Sequence, residues 1–262
     1  MTNISKKEID DLIIELSSIR WFKYPYQIIP TDSEWQREFT TTKYHYYDLF
    51  SFFSDININN ESKVLEVGLG YGYIALWVKM KYHCSVYAIE HPSRATVNNI
   101  DFCAQMGDRG IKIIKADLLQ EFPFEDGFFD MIIFSEVLEH IQPQNVKHIM
   151  NELTRVLKNS GKMIITTPNV ATLHSRYRAL RGINPQPFPI QSMSDETYEH
   201  IRIYTLEELE RICVIYNLKI LKIKHSNHYK GKFWSDIRKK LITSVFPSFS
   251  DEIFLHVVKQ KV

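Results

Sequence analysis

The chain is short of cysteine, of long apolar runs and of any excess of one charge. Its three cysteines, Cys84, Cys103 and Cys213, have neither paired nor metal-like spacing among 262 residues, which argues against a disulfide framework or a thiolate metal site. Lys and Arg number 32 against 31 Asp and Glu, a net charge of +1 with a pI near 7.7. That balance lacks the basic field on which nucleic-acid binding depends, so nucleic acid is not an expected partner. No apolar run reaches spanning length, and the opening MTNISKKEIDDLIIEL is too acidic and too interrupted for a signal peptide. No transmembrane segment and a cytoplasmic location are therefore expected. With 44% hydrophobic residues the chain has enough apolar material for one domain with additions.

Glycine is scarce too, at nine residues, yet three of them fall in VLEVGLGYG at 64–72. Val64, Leu65 and Val67 read as a buried parallel strand, and Gly68, Gly70 and Gly72 remove side chains where a ligand would lie. A helix is expected over Ile74–Lys81. The pattern departs from a dinucleotide fingerprint, because the sixth position is Tyr73 and the third glycine comes one residue early. Apolar runs at Val86–Ile89, Ile111–Ala116 and Phe129–Phe134 end in Glu90, in Asp117, and in Ser135 with Glu136. Four strands thus offer polar residues at one edge, the edge where open α/β sheets bind ligands. Helices over Ser93–Met106 and Asn145–Leu157, a turn at Asn159-Ser160-Gly161 and a fifth strand at Lys162–Thr167 give the alternation of a doubly wound α/β sheet.

These motifs, with ADLLQEFPFEDGFFDMIIFSEVLEHI and ELTRVLKNSGKMIITTPN, resemble the class I S-adenosylmethionine-dependent methyltransferases from about Glu61 to Leu218. The resemblance implies a mostly parallel, seven-stranded Rossmann-like sheet, with Leu218–His225 and Glu252–Lys259 as an antiparallel edge pair. It implies S-adenosyl-L-methionine as cofactor, with Glu66, Gly68, Gly70 and Gly72 at the methionine moiety and Glu90 on the ribose. Asp117 and Leu118 would border the adenine, and Ser135 and Glu136 would face the sulfonium.

The remaining chain is expected to dress this core. A packing helix over Lys6–Ile19 and an aromatic stretch from Trp21 to Phe53 form an N-terminal helical cap over residues 1–60, which either contacts substrate or packs on the sheet. Residues 61–262 would then be the cofactor-binding domain. The proline-rich 168–204 segment is too long for an ordinary connection and reads as a substrate lid. Thr205 and Glu208 match a capping box that starts a helix to Ile215. A basic insertion at 226–250 contains Lys230–Thr243, read as a solvated helix in preference to a phosphate or membrane-surface contact.

Chemistry is expected from SEVLEHI and YEHIRIYTLEEL. Were the first helical, Glu136, Glu139 and His140 would converge, and with His200 they would offer donors suited to magnesium, manganese or iron. Methyltransferases of ubiquinone biosynthesis and of small-RNA 3′ ends have a similar E-x-x-E-H motif. The alternative is that His140 is a general base, with His200 and His174 as further candidates and Glu136 beside them. Arg176, Arg178, Arg181 and Arg202 could clasp a phosphate of an activated sugar or be ordinary solvated charges. NVATLHSRYRALRGINP and DEIFLHVVKQK resemble surface-polysaccharide methyltransferases, which implies O-methylation of a small-molecule hydroxyl, such as a sugar in a glycan or nucleotide-sugar pathway. The competing readings are an RNA 3′-terminal 2′-O-methyltransferase and a silent S-adenosylmethionine-binding module.

Overall fold

The computed structural model describes residues 45–53, 56–186, 200–227 and 233–261. The expected helix over Lys6–Ile19 and the aromatics before His45 lie outside the described residues. The strands are β1 (Lys63–Val67), β2 (Ser85–Glu90), β3 (Ile111–Lys115), β4 (Phe129–Ser135), β5 (Leu157–Pro168), β6 (Leu218–Ser226) and β7 (Glu252–Lys259). They form one sheet in the order β3-β2-β1-β4-β5-β7-β6. The first five pair in parallel, and β7 runs antiparallel to both β5 and β6. The order reverses at β1, so the carboxyl ends of β1 and β4 flank the crevice where such sheets take ligands.

The helices are α1 (residues 45–52), α2 (Tyr73–Tyr82), α3 (Ala95–Asn98), α4 (Ile100–Asp108), α5 (Pro143–Val156), α6 (Leu173–Leu180), α7 (Leu206–Ile215) and α8 (Phe233–Val245). The single helix expected over Ser93–Met106 is two, because Asn99 takes an extended backbone and caps α4 by accepting from the Phe102 N–H. Asn at this position offers a side-chain oxygen to a helix start, which favours a break over continuation. β5 begins at Leu157, ahead of the expected turn, and a register irregularity between Phe129 and Met131 absorbs the extra residues around Ser160 and Gly161. The proline-rich segment includes α6, which the sequence pattern did not indicate.

The core lies on both faces of the sheet. On one face Tyr73 to Val78 of α2 are all buried, which requires a cover on the side away from the strands. The cover is α1: Phe50 stacks on Trp77 at 4.1 Å and Phe53 meets the same ring edge-on at 5.1 Å. Such pairs contribute about 0.5–1.5 kcal/mol each beyond area burial. On the other face α5 buries Ile149, Met150, Leu153 and Val156, one stripe of its surface. From α5, Arg155 bonds the carbonyls of Phe122 and Phe124 while Glu152 accepts from the Phe122 N–H at 2.7 Å. These bonds fix the β3–β4 connection. No described helix is long and apolar enough to cross a membrane.

Candidate functional site

The three loop glycines have positive φ, but they do different things. A Cβ on Gly68 would meet Val137 at 2.6 Å and one on Gly72 would meet the Met106 methyl at 1.8 Å, so these two let protein pack closely. A Cβ on Gly70 would meet nothing within 4 Å; at φ +52° its bare Cα faces open space at the strand end. The Gly70 N–H donates to Glu90 Oε2 at 2.9 Å, and the His91 N–H donates to Glu90 Oε1 at 2.9 Å. Glu90 is thereby held across the loop at the end of β2. Glu66 is buried and accepts from the Ala75 N–H at 2.9 Å, joining β1 to the first turn of α2. Burial pushes its carboxyl well above the usual range, against the bond from Ala75. Asp117 turns the chain after β3 by accepting from the Leu119 N–H, with half-buried Leu118 beside it.

The end of β4 carries the second half of the site. Glu136 has φ +53°, an uncommon backbone for a residue with a side chain. Its carboxylate accepts from Thr166 Oγ1 at 2.8 Å, and Thr166 lies within 2.7 Å of Ser135 Oγ. A 3-10 turn over Leu138–His140 follows, so the expected α-helical spacing is not what gathers these residues. Instead the Ile201 and Arg202 N–H groups donate to the Glu139 carbonyl at 2.7 and 3.1 Å, which lays the returning chain against the turn. His200 then stands with its ring 4.9 Å from that of His140 and its Nε2 4.0 Å from Glu139 Oε1. One donor atom from each of Glu139, His140 and His200 lies within 4.8 Å of the others. Glu139 is fully buried; burial first, and then the Glu136 charge, push its carboxyl up to about 9. Burial lowers His200, so its imidazole is neutral near pH 7.

Glu136 is grouped with different partners. Its carboxylate lies within 4.8 Å of donor atoms of His45 and Glu252. His45 Nδ1 and Glu252 Oε1 are 3.1 Å apart, and His45 Nε2 is 3.4 Å from Ser135 Oγ. Burial alone would lower His45, but the Glu252 bond and the Glu252, Glu136 and Asp48 charges outweigh it and hold the imidazole above its ordinary value. Sequence reading missed this pair. The two residues are 207 positions apart, with His45 in an aromatic stretch and Glu252 opening the last strand, and no local spacing links them.

The other candidates are placed elsewhere. His174 is exposed on α6. Arg202 pairs with Glu208, Arg176 packs on the Phe249 ring at 4.7 Å, Arg178 bonds the Asn184 carbonyl and Arg181 covers Tyr177. The structure does not gather these four arginines at the β4 edge.

A strand-end crevice, one open glycine and several carboxylates around it suit a cationic nucleoside. The methyltransferase-domain family matches residues 37–223. The chain belongs to that family. It is a class I S-adenosylmethionine-dependent methyltransferase. An Encephalitozoon cuniculi protein with a provisional methyltransferase name is 26% identical over 71% of this chain and 83% of its own length. The sarcosine/dimethylglycine N-methyltransferase of Halorhodospira halochloris is 29% identical over 41% of this chain, which spans only 38% of that enzyme. The structure of a Streptomyces coelicolor geranyl diphosphate C-methyltransferase superposes with a TM-score of 0.59 at 14% identity, over 96% of this chain and 98% of the other. That likeness supports the methyltransferase fold.

Proposed function

We propose that this methyltransferase transfers its methyl group to a hydroxyl oxygen of a small molecule, with a sugar hydroxyl of a glycan or nucleotide-sugar as the preferred class. The observation that carries the reading is the meeting of Glu139, His140 and His200 at the end of β4. Displacement at the methyl carbon requires the nucleophile to approach opposite the sulfur, so alignment and proton removal are what the protein supplies. A neutral amine has a free lone pair, whereas a hydroxyl near pH 7 must shed its proton. A neutral imidazole beside a buried carboxyl is suited to that task. His140 is the proposed base, with His200 and Glu139 ordering it and Glu136 holding the turn to β5 through Thr166. The cofactor is proposed to contact Gly68, Gly70, Gly72, Glu90, Asp117, Leu118 and Ser135, with Glu66 supporting the loop. The sugar class rests on the resemblance of the lid and terminal segments to polysaccharide methyltransferases.

Glu139, His140 and His200 would also hold a divalent cation. Glu139 Oε1 is buried with no hydrogen-bond partner, and one carboxylate oxygen with two imidazoles suits iron or manganese better than magnesium, which favours all-oxygen donors. When bound, such an ion supplies Lewis acidity that lowers the pKa of a hydroxyl.

The test is mass-spectrometric methyl transfer to a panel of sugars, nucleotide-sugars and amines. We expect transfer to hydroxyls, with His140→Ala and His200→Ala lowering kcat by roughly 10²- to 10⁴-fold and leaving S-adenosylhomocysteine affinity unchanged. Full turnover by both variants, or methylation of amines alone, overturns the reading. Chelation followed by return of each metal tests the cation separately: activity indifferent to chelator removes it and leaves His140 as the base.

A further inference from the structure

Two helices, one following the carboxyl end of β5 and one in the connection from β6 to β7, show apolar side chains to solvent in rows. Helix α6 buries none of its residues. Leu173, Tyr177 and Leu180 follow the i, i+4, i+7 spacing of a single helical face, and Leu180 is 87% exposed. In α8, Leu241 and Val245 are four apart and 63% and 68% exposed, and the adjoining Phe246 is 54% exposed. The rows are joined. Phe246 stacks on Phe249 at 5.3 Å, and the Arg176 guanidinium lies on the other ring of that pair at 4.7 Å. Asn169, just before α6, donates to the carbonyls of Ser248 and Ser250, which fixes the start of one helix against the end of the other.

The charge of these segments is one-sided. Residues 171–186 contain Arg176, Arg178 and Arg181 and no acid. Helix α8 carries Arg238, Lys239 and Lys240 against the single acid Asp236. The rest of the chain must offset this local excess, since the whole carries only +1. Lys239 is committed to Asp251. Two clefts, one lined by Arg202 and Arg211 and the other by Asp130 and Lys158, lie apart from both apolar rows. Rows of exposed apolar side chains flanked by cations suit a planar anionic interface.

We propose that the joined outer face of α6 and α8 docks on an anionic lipid bilayer, with Leu180, Leu241 and Phe246 entering the headgroup boundary and the flanking arginines and lysines meeting lipid phosphates. This docking does not depend on which acceptor the enzyme methylates.

Flotation of the full chain with phosphatidylcholine vesicles, with and without phosphatidylserine, tests this. The expected result is co-flotation with the phosphatidylserine vesicles, much weaker binding to phosphatidylcholine alone, and a decline on adding salt. The double variant Leu180→Glu/Leu241→Glu should lose about tenfold or more of the vesicle partition, since each substitution removes an inserted apolar group and adds a repelled charge. Its heat of binding S-adenosylhomocysteine should match the parent protein, which shows that it is folded. Failure of the parent protein to float with anionic vesicles, or equal flotation by the folded double variant, overturns the proposal. Binding to an acidic protein or to RNA without vesicle binding overturns it as well and assigns the face to that class of partner.

Discussion

Replacing Gly70 and Gly72 by alanine, one at a time, separates a glycine needed for folding from one needed for the ligand. Both have positive φ, so alanine costs about 1–2 kcal/mol at either position from backbone strain alone. At Gly70 nothing is added to that, because the new methyl meets no protein atom within 4 Å and the N–H to Glu90 survives. The melting temperature of Gly70→Ala should fall by roughly 2–8 °C. At Gly72 the new methyl would sit 1.8 Å from the terminal carbon of Met106, which is fully buried. Moving that side chain within a packed core adds about 1–3 kcal/mol, for a total of about 2–5 kcal/mol. Binding should rank the other way among folded molecules. Gly70→Ala puts a methyl into the space facing the cofactor crevice and should weaken S-adenosylhomocysteine at least about tenfold, or 1.4 kcal/mol. Calorimetric titration beside thermal unfolding reads both quantities. A folded Gly70→Ala protein that binds with parental affinity would refute the placement of the cofactor against this loop.

Further outcomes follow from the scaffold. Glu152→Gln should cost about 2 kcal/mol at pH 7, because the Arg155 side chain and the Phe122 N–H both lose a charged acceptor. The bond from Arg155 holds the Glu152 pKa below its ordinary value, so this stability is present above the unfolded carboxylate pKa of about 4.3 and is lost as pH falls through the lower folded value. Urea midpoints of parent and variant should therefore differ at neutral pH and converge in acid; a gap that persists in acid would show that charge is not its source. Thr205→Ala removes the capping box at the start of α7 and should cost about 1 kcal/mol, read as a drop of roughly 2–4 °C in Tm. No change would mean that packing of Leu209 and Cys213 alone sets that helix.

Local signals carried much of the fold. Val64 to Val67, Val86 to Ile89 and Phe129 to Phe134 are runs too apolar to lie anywhere but inside a covered parallel sheet, and all three are strands. Thr205 with Glu208 marked a helix start to the residue, since both halves of that cap lie within four positions. Signals with a competing local reading were less legible. Asn99 is unremarkable in a helical stretch until its side chain is seen capping the next turn. Helix α6 escaped notice because a row of three apolar residues without burial is a weak pattern among prolines.

What the sequence determined by itself was the glycine loop and the acids at the strand ends, short-range features that topology carries together to one edge. What only the tertiary structure decided was which histidines meet which acids. His200 reaches His140 through two backbone bonds to Glu139, and His45 reaches Glu252 through the packing of α1 against the sheet. Such contacts join positions up to 207 residues apart and depend on chain return and burial, which no local spacing encodes.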